Sequence, residues 1–157
     1  RRAADLPMAL RRNIVAETLA VLDAPDFAGL FGPMARAEVA IAAEIPSPDG
    51  EGPPVRITGQ IDRLVDLGSQ ILVVDYKTNR PPPHQPEHVA EAYLLQLAAY
   101  RLALRGMWPG KSIRCALLWT DGPRIMEIPE GLLDQSEAKL WTLGTAVTRA
   151  PEIAHRV

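Results

Sequence analysis

The succession of apolar patterns along the 157 residues predicts an α/β fold, a single sheet with helices around it. Three observations carry that expectation. Helical periodicity appears in three stretches and strand-like apolar runs in five, and glycine or proline punctuates most junctions between them. The order that results is helix, three strands, helix, two strands, helix, with no internal repeat and no second domain. The length suits one compact domain, which buries roughly 70% of its unfolded surface and needs no disulfide or metal to fold.

Residues 8–22 read as a helix with Leu10, Ile14, Val15, Leu19 and Leu22 on one side. Pro25, Gly29, Gly32 and Pro33 leave room for a short helical turn at most. Residues 36–45 read as a strand and 46–54 (PSPDGEGPP) as a loop, followed by strands at 55–66 and 70–77. The segment 79–86 (NRPPPHQP) is a stiff connection. Pro86 suits the first turn of a helix over 87–106 that Gly106 ends, and its nearly all-round apolar character predicts burial. Strands at 112–120 and 124–128 flank a turn at Asp121-Gly122, and a last amphipathic helix covers 131–148.

Composition narrows the function classes. Lys plus Arg is 17 against 19 Asp plus Glu, a net charge of −2, so bulk positive charge cannot be what holds a nucleic acid. A metal ion could still supply positive charge locally. The single cysteine, Cys115, excludes a disulfide framework, a four-cysteine zinc site and a four-cysteine iron–sulfur cluster. No apolar run reaches the ~20 residues needed to span a bilayer. No apolar signal region follows Arg1-Arg2-Ala3-Ala4-Asp5, so the expected compartment is cytoplasmic, with no membrane partner. The chain opens on arginine, which suggests a piece of a longer protein.

The hairpin at 55–77 is the informative segment. A two-residue type II′ turn at Gly68-Ser69 pairs residues whose numbers sum to 137, which sets Val65 beside Leu72 and Asp62 beside Asp75. Two carboxylates then share one face with Cβ atoms roughly 5 Å apart, and alternation adds Lys77 to it. Opposed like charges destabilise a sheet unless something compensates them. A divalent cation would do so, and hard oxygen donors suit Mg²⁺ or Mn²⁺. The bland alternative is a structural buried ion pair, but two acids with one lysine leave it net negative.

Asp62 followed by Asp75-x-Lys77 is the layout of the PD-(D/E)xK nucleases. Gly59-Gln60-Ile61-Asp62-Arg63-Leu64, Val74-Asp75-Tyr76-Lys77-Thr78-Asn79 and Tyr93-x-x-Gln96-Leu97-x-x-Tyr100 together resemble the RecB-type nuclease domain. The alanine- and proline-rich style is most similar to the C-terminal nuclease domain of AddA-type helicase–nuclease subunits. The motifs span 59–100; the flanks agree in element order only. The resemblance implies a restriction-endonuclease-like core, a central mixed sheet flanked by helices. It also implies Mg²⁺-dependent cleavage of DNA, exonuclease-type, within an ATP-dependent helicase–nuclease serving double-strand break repair and recombination. Asp62, Asp75 and the Tyr76 carbonyl would hold the metal. Lys77 would orient or help deprotonate a water, with Gln96 and Tyr100 beside the metal or the phosphate. No G-x-x-x-x-G-K-[ST] pattern is present, so ATP would act only in the parent helicase. Implied partners are single-stranded DNA ends, a helicase domain of the same chain and an AddB-like subunit.

One departure stands out. In the RecB and AddA group a histidine on a preceding helix completes the metal site, whereas helix 8–22 offers Arg11, Arg12 and Glu17. The three histidines, His84, His88 and His155, all follow the catalytic strands. Either the ligand helix lies outside this chain, the favoured reading, or Glu17 or Glu38 replaces it. Gln96 and Tyr100 could instead satisfy buried polar groups, and Arg63 should face the opposite side as a structural partner. Cys115 reads as core packing, and Trp108, Trp119 and Trp141 are too scattered for a base-stacking platform. Arg1-Arg2 and Arg11-Arg12 could touch phosphate or simply be solvated. The competing functions are a cleavage-inactive DNA-binding or docking domain and a RecB-like nuclease of another group.

Overall fold

Strands β1 (Ala35–Ile45), β2 (Val55–Asp66) and β3 (Gln70–Lys77) run as an antiparallel meander. β4 (Ser112–Trp119) then lies parallel to β3, and β5 (Arg124–Glu127) pairs antiparallel with β4 at the far edge. The computed structural model describes residues 7–48, 50–51 and 53–143, and the sheet order there is β1-β2-β3-β4-β5. A parallel pair needs a crossover, and helix α2 (Glu91–Met107) provides it between β3 and β4. Helix α1 (Met8–Asp23) and a 3-10 turn (Pro25–Phe31) precede the sheet, and α3 (Glu130–Leu143) comes after it. The expected α/β class, a mixed sheet flanked by helices, is the architecture observed.

β3 is apolar on both faces because both faces are covered. Ile71 and Val73 join Leu97, Ala103 and Leu104 of α2 and Leu133 and Leu140 of α3 in the larger core. Val74 turns the other way, onto Val65, Leu118, Phe27, Leu30 and Val21 in a smaller one. The hairpin register is the expected one, with Arg63 opposite Val74, Leu64 opposite Val73 and Val65 opposite Leu72. Gly68 takes φ of +84° in the turn, and the Leu67 amide donates to the Gln70 carbonyl at 2.8 Å. Glycine is the residue that adopts such a φ without a Cβ clash.

Strand alternation changes phase next to this hairpin. Ala35 packs with the smaller core, whereas Val39 and Ile41 belong with the larger one. In β2, Ile57 and Ile61 share the larger core with Leu64, an odd and an even position. The change falls at Glu38, which lies between the Ala37–Arg63 and Val39–Ile61 pairs and has φ of +52°. A left-handed residue inside a strand re-aims the residues after it, the usual use of local irregularity near functional sites.

Two helical expectations need correction, and one helix is unexpectedly bare. α1 forms where expected, but Leu10, Ile14, Val15, Leu19 and Leu22 are exposed, and Val21 is the helix's buried residue. Among the described residues nothing covers most of its apolar side. The second helix starts at Glu91, because residues Pro86–His88 make a separate 3-10 turn and Val89 is extended (φ −67°, ψ 137°). Gly106 does not end that helix, which continues through Met107 to a cap at Trp108. α3 is described through Leu143, and the expected residues 144–148 lie outside the described ones, as do Arg1-Arg2 and His155.

Candidate active site

Asp75 and Lys77 sit at the end of β3, two residues apart and therefore on one face, the face that α2 covers. Both are buried, Asp75 at 3% exposure and Lys77 at 9%. The Lys77 ammonium lies 2.5 Å from Asp75 Oδ2, and among the described residues that oxygen has no donor besides this lysine. Burial pushes the Asp75 carboxyl above its ordinary value; Lys77 opposes the shift and the nearby Asp62 carboxylate adds to it. The compensation that the sequence assigned to an external cation is thus met in part by Lys77.

Asp62 is half-buried and placed differently from expectation. The β2–β3 ladder ends at Arg63–Val74, so Asp62 and Asp75 are not a ladder pair. Where the strands part, Asp62 Oδ2 accepts the Tyr76 amide hydrogen at 2.7 Å, filling the next place of the ladder with a carboxylate. This fixes Asp62 to the strand that carries Asp75. The Tyr76 side chain goes to the opposite face, where its hydroxyl accepts from Arg63 Nε at 3.1 Å. Arg63 also lies over the Phe31 ring, 4.9 Å from its centroid, so it is the structural partner expected.

From α2 three side chains reach the same face, at the spacing that aligns a helical stripe. Gln96 Oε1 accepts from Lys77 Nζ at 3.1 Å, and Gln96 Nε2 donates to the Tyr100 hydroxyl at 3.2 Å. Tyr100 in turn donates to the Gln60 carbonyl at 2.9 Å. Burial holds the Tyr100 phenol above its ordinary pKa, so it remains a donor. The chain of bonds orients the Gln96 amide with its oxygen toward Lys77. Gly59 makes room for it: a Cβ there would meet the Tyr100 ring and hydroxyl at 2.9 Å. Tyr93 places its ring against Lys77 and donates its hydroxyl to Asn79 Oδ1 at 2.7 Å.

The site therefore unites Asp62, Asp75, Lys77, Gln96 and Tyr100, with Tyr76 joined through its backbone. Neither Glu17 nor Glu38 supplies the missing donor. Glu17 pairs with Arg80, and Glu38 accepts from Gln60 Nε2 at 2.5 Å. Among the described residues no three His, Cys, Asp or Glu side chains group closely enough to hold a metal. His84 and His88 are not in the core, Cys115 is wholly buried, and of the tryptophans Trp119 is core while Trp108 is exposed. Sequence reasoning gave Tyr93 and Gly59 no part beyond their motifs. The Tyr93-x-x-Gln96 spacing signalled a shared helix face; nothing signalled the contact of Gly59 with Tyr100. A shallow apolar concavity lined by Ala43, Ile45, Leu102 and Met107 lies at the other end of α2 and contains none of these residues.

Comparison with known proteins gives the family. Residues 7–151 match the PD-(D/E)XK nuclease superfamily, and the chain belongs to that superfamily. It is 36% identical over 77 residues to an ATP-dependent helicase/nuclease subunit from Pelotomaculum thermopropionicum, a match covering 41% of this chain and 6% of that protein. The crystal structure of a candidate exonuclease from Eubacterium rectale superposes with a TM-score of 0.58 at 14% identity, over 85% of this chain and 51% of the other. That likeness concerns the fold.

Proposed function

We propose that this domain is a divalent-metal-dependent deoxyribonuclease, the cutting module of an ATP-dependent helicase–nuclease that processes DNA ends in repair and recombination. The observation that carries the reading is the pair Asp75–Lys77, buried beside Asp62, two carboxylates against one ammonium. Oxygen donors of this kind suit a hard cation such as Mg²⁺ or Mn²⁺. Asp62, Asp75 and the Tyr76 carbonyl would hold it. Bound there, the cation would lower the pKa of a water and offset charge on the phosphate. Lys77, fixed by Asp75 and Gln96, sets a positive charge at the same place, where negative charge builds during phosphodiester hydrolysis. Gln96 and Tyr100 keep that charge in position. The resemblance to a helicase/nuclease protein supports delivery of single strands by a motor in the same assembly. A cytoplasmic setting with an AddB-like subunit belongs to the same proposal.

The test is cleavage of linear and circular single-stranded DNA with Mg²⁺, Mn²⁺ or EDTA. Cutting that EDTA abolishes supports the reading, and loss of the circular substrate assigns endonucleolytic action. No cutting with either metal, by this chain or by a longer chain that contains it, overturns it. The two-carboxylate donor set favours one rival, a DNA-binding or docking domain without cleavage, and that rival predicts retention of DNA with no product.

A further inference from the structure

Lys77 is gripped from three directions. Its ammonium lies 2.5 Å from Asp75 Oδ2, 3.1 Å from Gln96 Oε1 and 3.9 Å from the centroid of the Tyr93 ring. The first two are polar partners that the site already explains. The third is a ring face, which attracts a cation through its quadrupole and does so more strongly where water is excluded. Tyr93 is 7% exposed and Lys77 9%, so this contact is largely dry. The ring is itself held, by Trp119 at 6.4 Å between centroids and by the hydroxyl bond to Asn79. Trp119 is the β4 neighbour of Lys77 in the parallel ladder, so both supports of the ring are anchored beside the strand end that carries the lysine.

We infer that Tyr93 is a positioning residue for Lys77, a ring clamp that sets where the ammonium sits between Asp75 and Gln96. The inference rests on the nuclease reading for its effect on rate, but not for its effect on geometry. Removing the ring would leave the lysine stem free to leave the Gln96 side, and the positive charge would no longer stay at one point. The ring face is the active feature; the hydroxyl serves the Asn79 contact.

The sequence has three lysines, Lys77, Lys111 and Lys139, so ¹³C-lysine labelling gives a spectrum that Lys77→Ala assigns directly. A ring face above the ammonium shields the neighbouring ε-methylene. In the unmodified protein and in Tyr93→Phe the Lys77 ε-resonance is therefore expected upfield of the other two. Pentafluorophenylalanine in place of Tyr93 keeps an aromatic ring but reverses its quadrupole, so the ammonium is expected to leave the ring face and the upfield shift to vanish, as in Tyr93→Leu. On DNA, the fluorinated protein should lose roughly five- to tenfold in kcat with KM unchanged, while Tyr93→Phe keeps most of its rate. A Lys77 resonance level with the other lysines, or a shift and kcat that survive fluorination, overturns the clamp. If the unmodified protein cuts no DNA, the nuclease reading has failed, and the spectra still decide the clamp.

Discussion

The two helices nearest the ends of the meander are used in opposite ways. α2 buries nine residues, among them Gln96, Tyr100 and Tyr93 of the site stripe. α1 buries one, Val21, and leaves Met8, Val15 and Leu19 at 50% exposure or more. Both sequences carry enough apolar residues to be packed helices. The difference is that α2 connects two parallel neighbours and must lie on the sheet, whereas nothing in the connectivity obliges α1 to do so. The candidate site is therefore placed where packing is strongest: the polar side chains that approach Lys77 are locked by a dry core and by one another. Such preorganisation is what fixes a reactive group.

Stability measurements can break that contrast most sharply. Leu97→Ala, at a fully buried α2 position, is expected to cost about 2–5 kcal/mol in denaturant unfolding. Leu19→Ala on α1, half exposed, should change stability by less than about 0.5 kcal/mol. Similar costs at both positions would mean that α1 is packed after all. Gly59→Ala should be next in size, at about 1–3 kcal/mol, because the new methyl collides with Tyr100 and the ring cannot retreat from its core. It should also slow DNA cleavage, and loss of rate without loss of stability would separate the Gln96–Tyr100 relay from general packing. Burial pushes the Cys115 thiol up to about 12, so at pH 8 it stays protonated and enclosed. Iodoacetamide should leave it unmodified until denaturant is added; prompt labelling of the native protein would contradict the core under α2. The smallest effect is expected at Glu38→Gly, where relief of a left-handed residue, worth about 1 kcal/mol, opposes loss of the contact with Gln60. Net stability should change little, as a thermal melt would show.

Much of this was legible because local rules dominate there. Gly68 and the flanking apolar runs dictate the hairpin register as far as Arg63–Val74, which brings Asp62 to the strand that carries Asp75, and strand alternation sets Lys77 on the Asp75 face. The rest depends on geometry with no short-range signature. The end of the ladder at Arg63 and the phase change at the left-handed Glu38 are not announced by any residue type there. Helical periodicity in α1 reports a capacity to pack, not a surface that is packed. Pro86 permits a helix to start, but the extended Val89 postpones it to Glu91. The ring over Lys77 requires α2 to dock before it exists, so spacing could mark Tyr93 as facing the site but not as touching the ammonium.

If the Asp75–Lys77 pair beneath α2 is a cutting centre and not merely a buried ion pair, removing the lysine must stop cleavage. Single-turnover cleavage of single-stranded DNA in Mg²⁺ by the unmodified protein and by Lys77→Ala, each confirmed folded by circular dichroism, tests it most directly. Metal-dependent cleavage is expected, lowered by roughly 10²–10⁴-fold in Lys77→Ala. Cleavage that persists at an undiminished rate in the folded Lys77→Ala protein would contradict it.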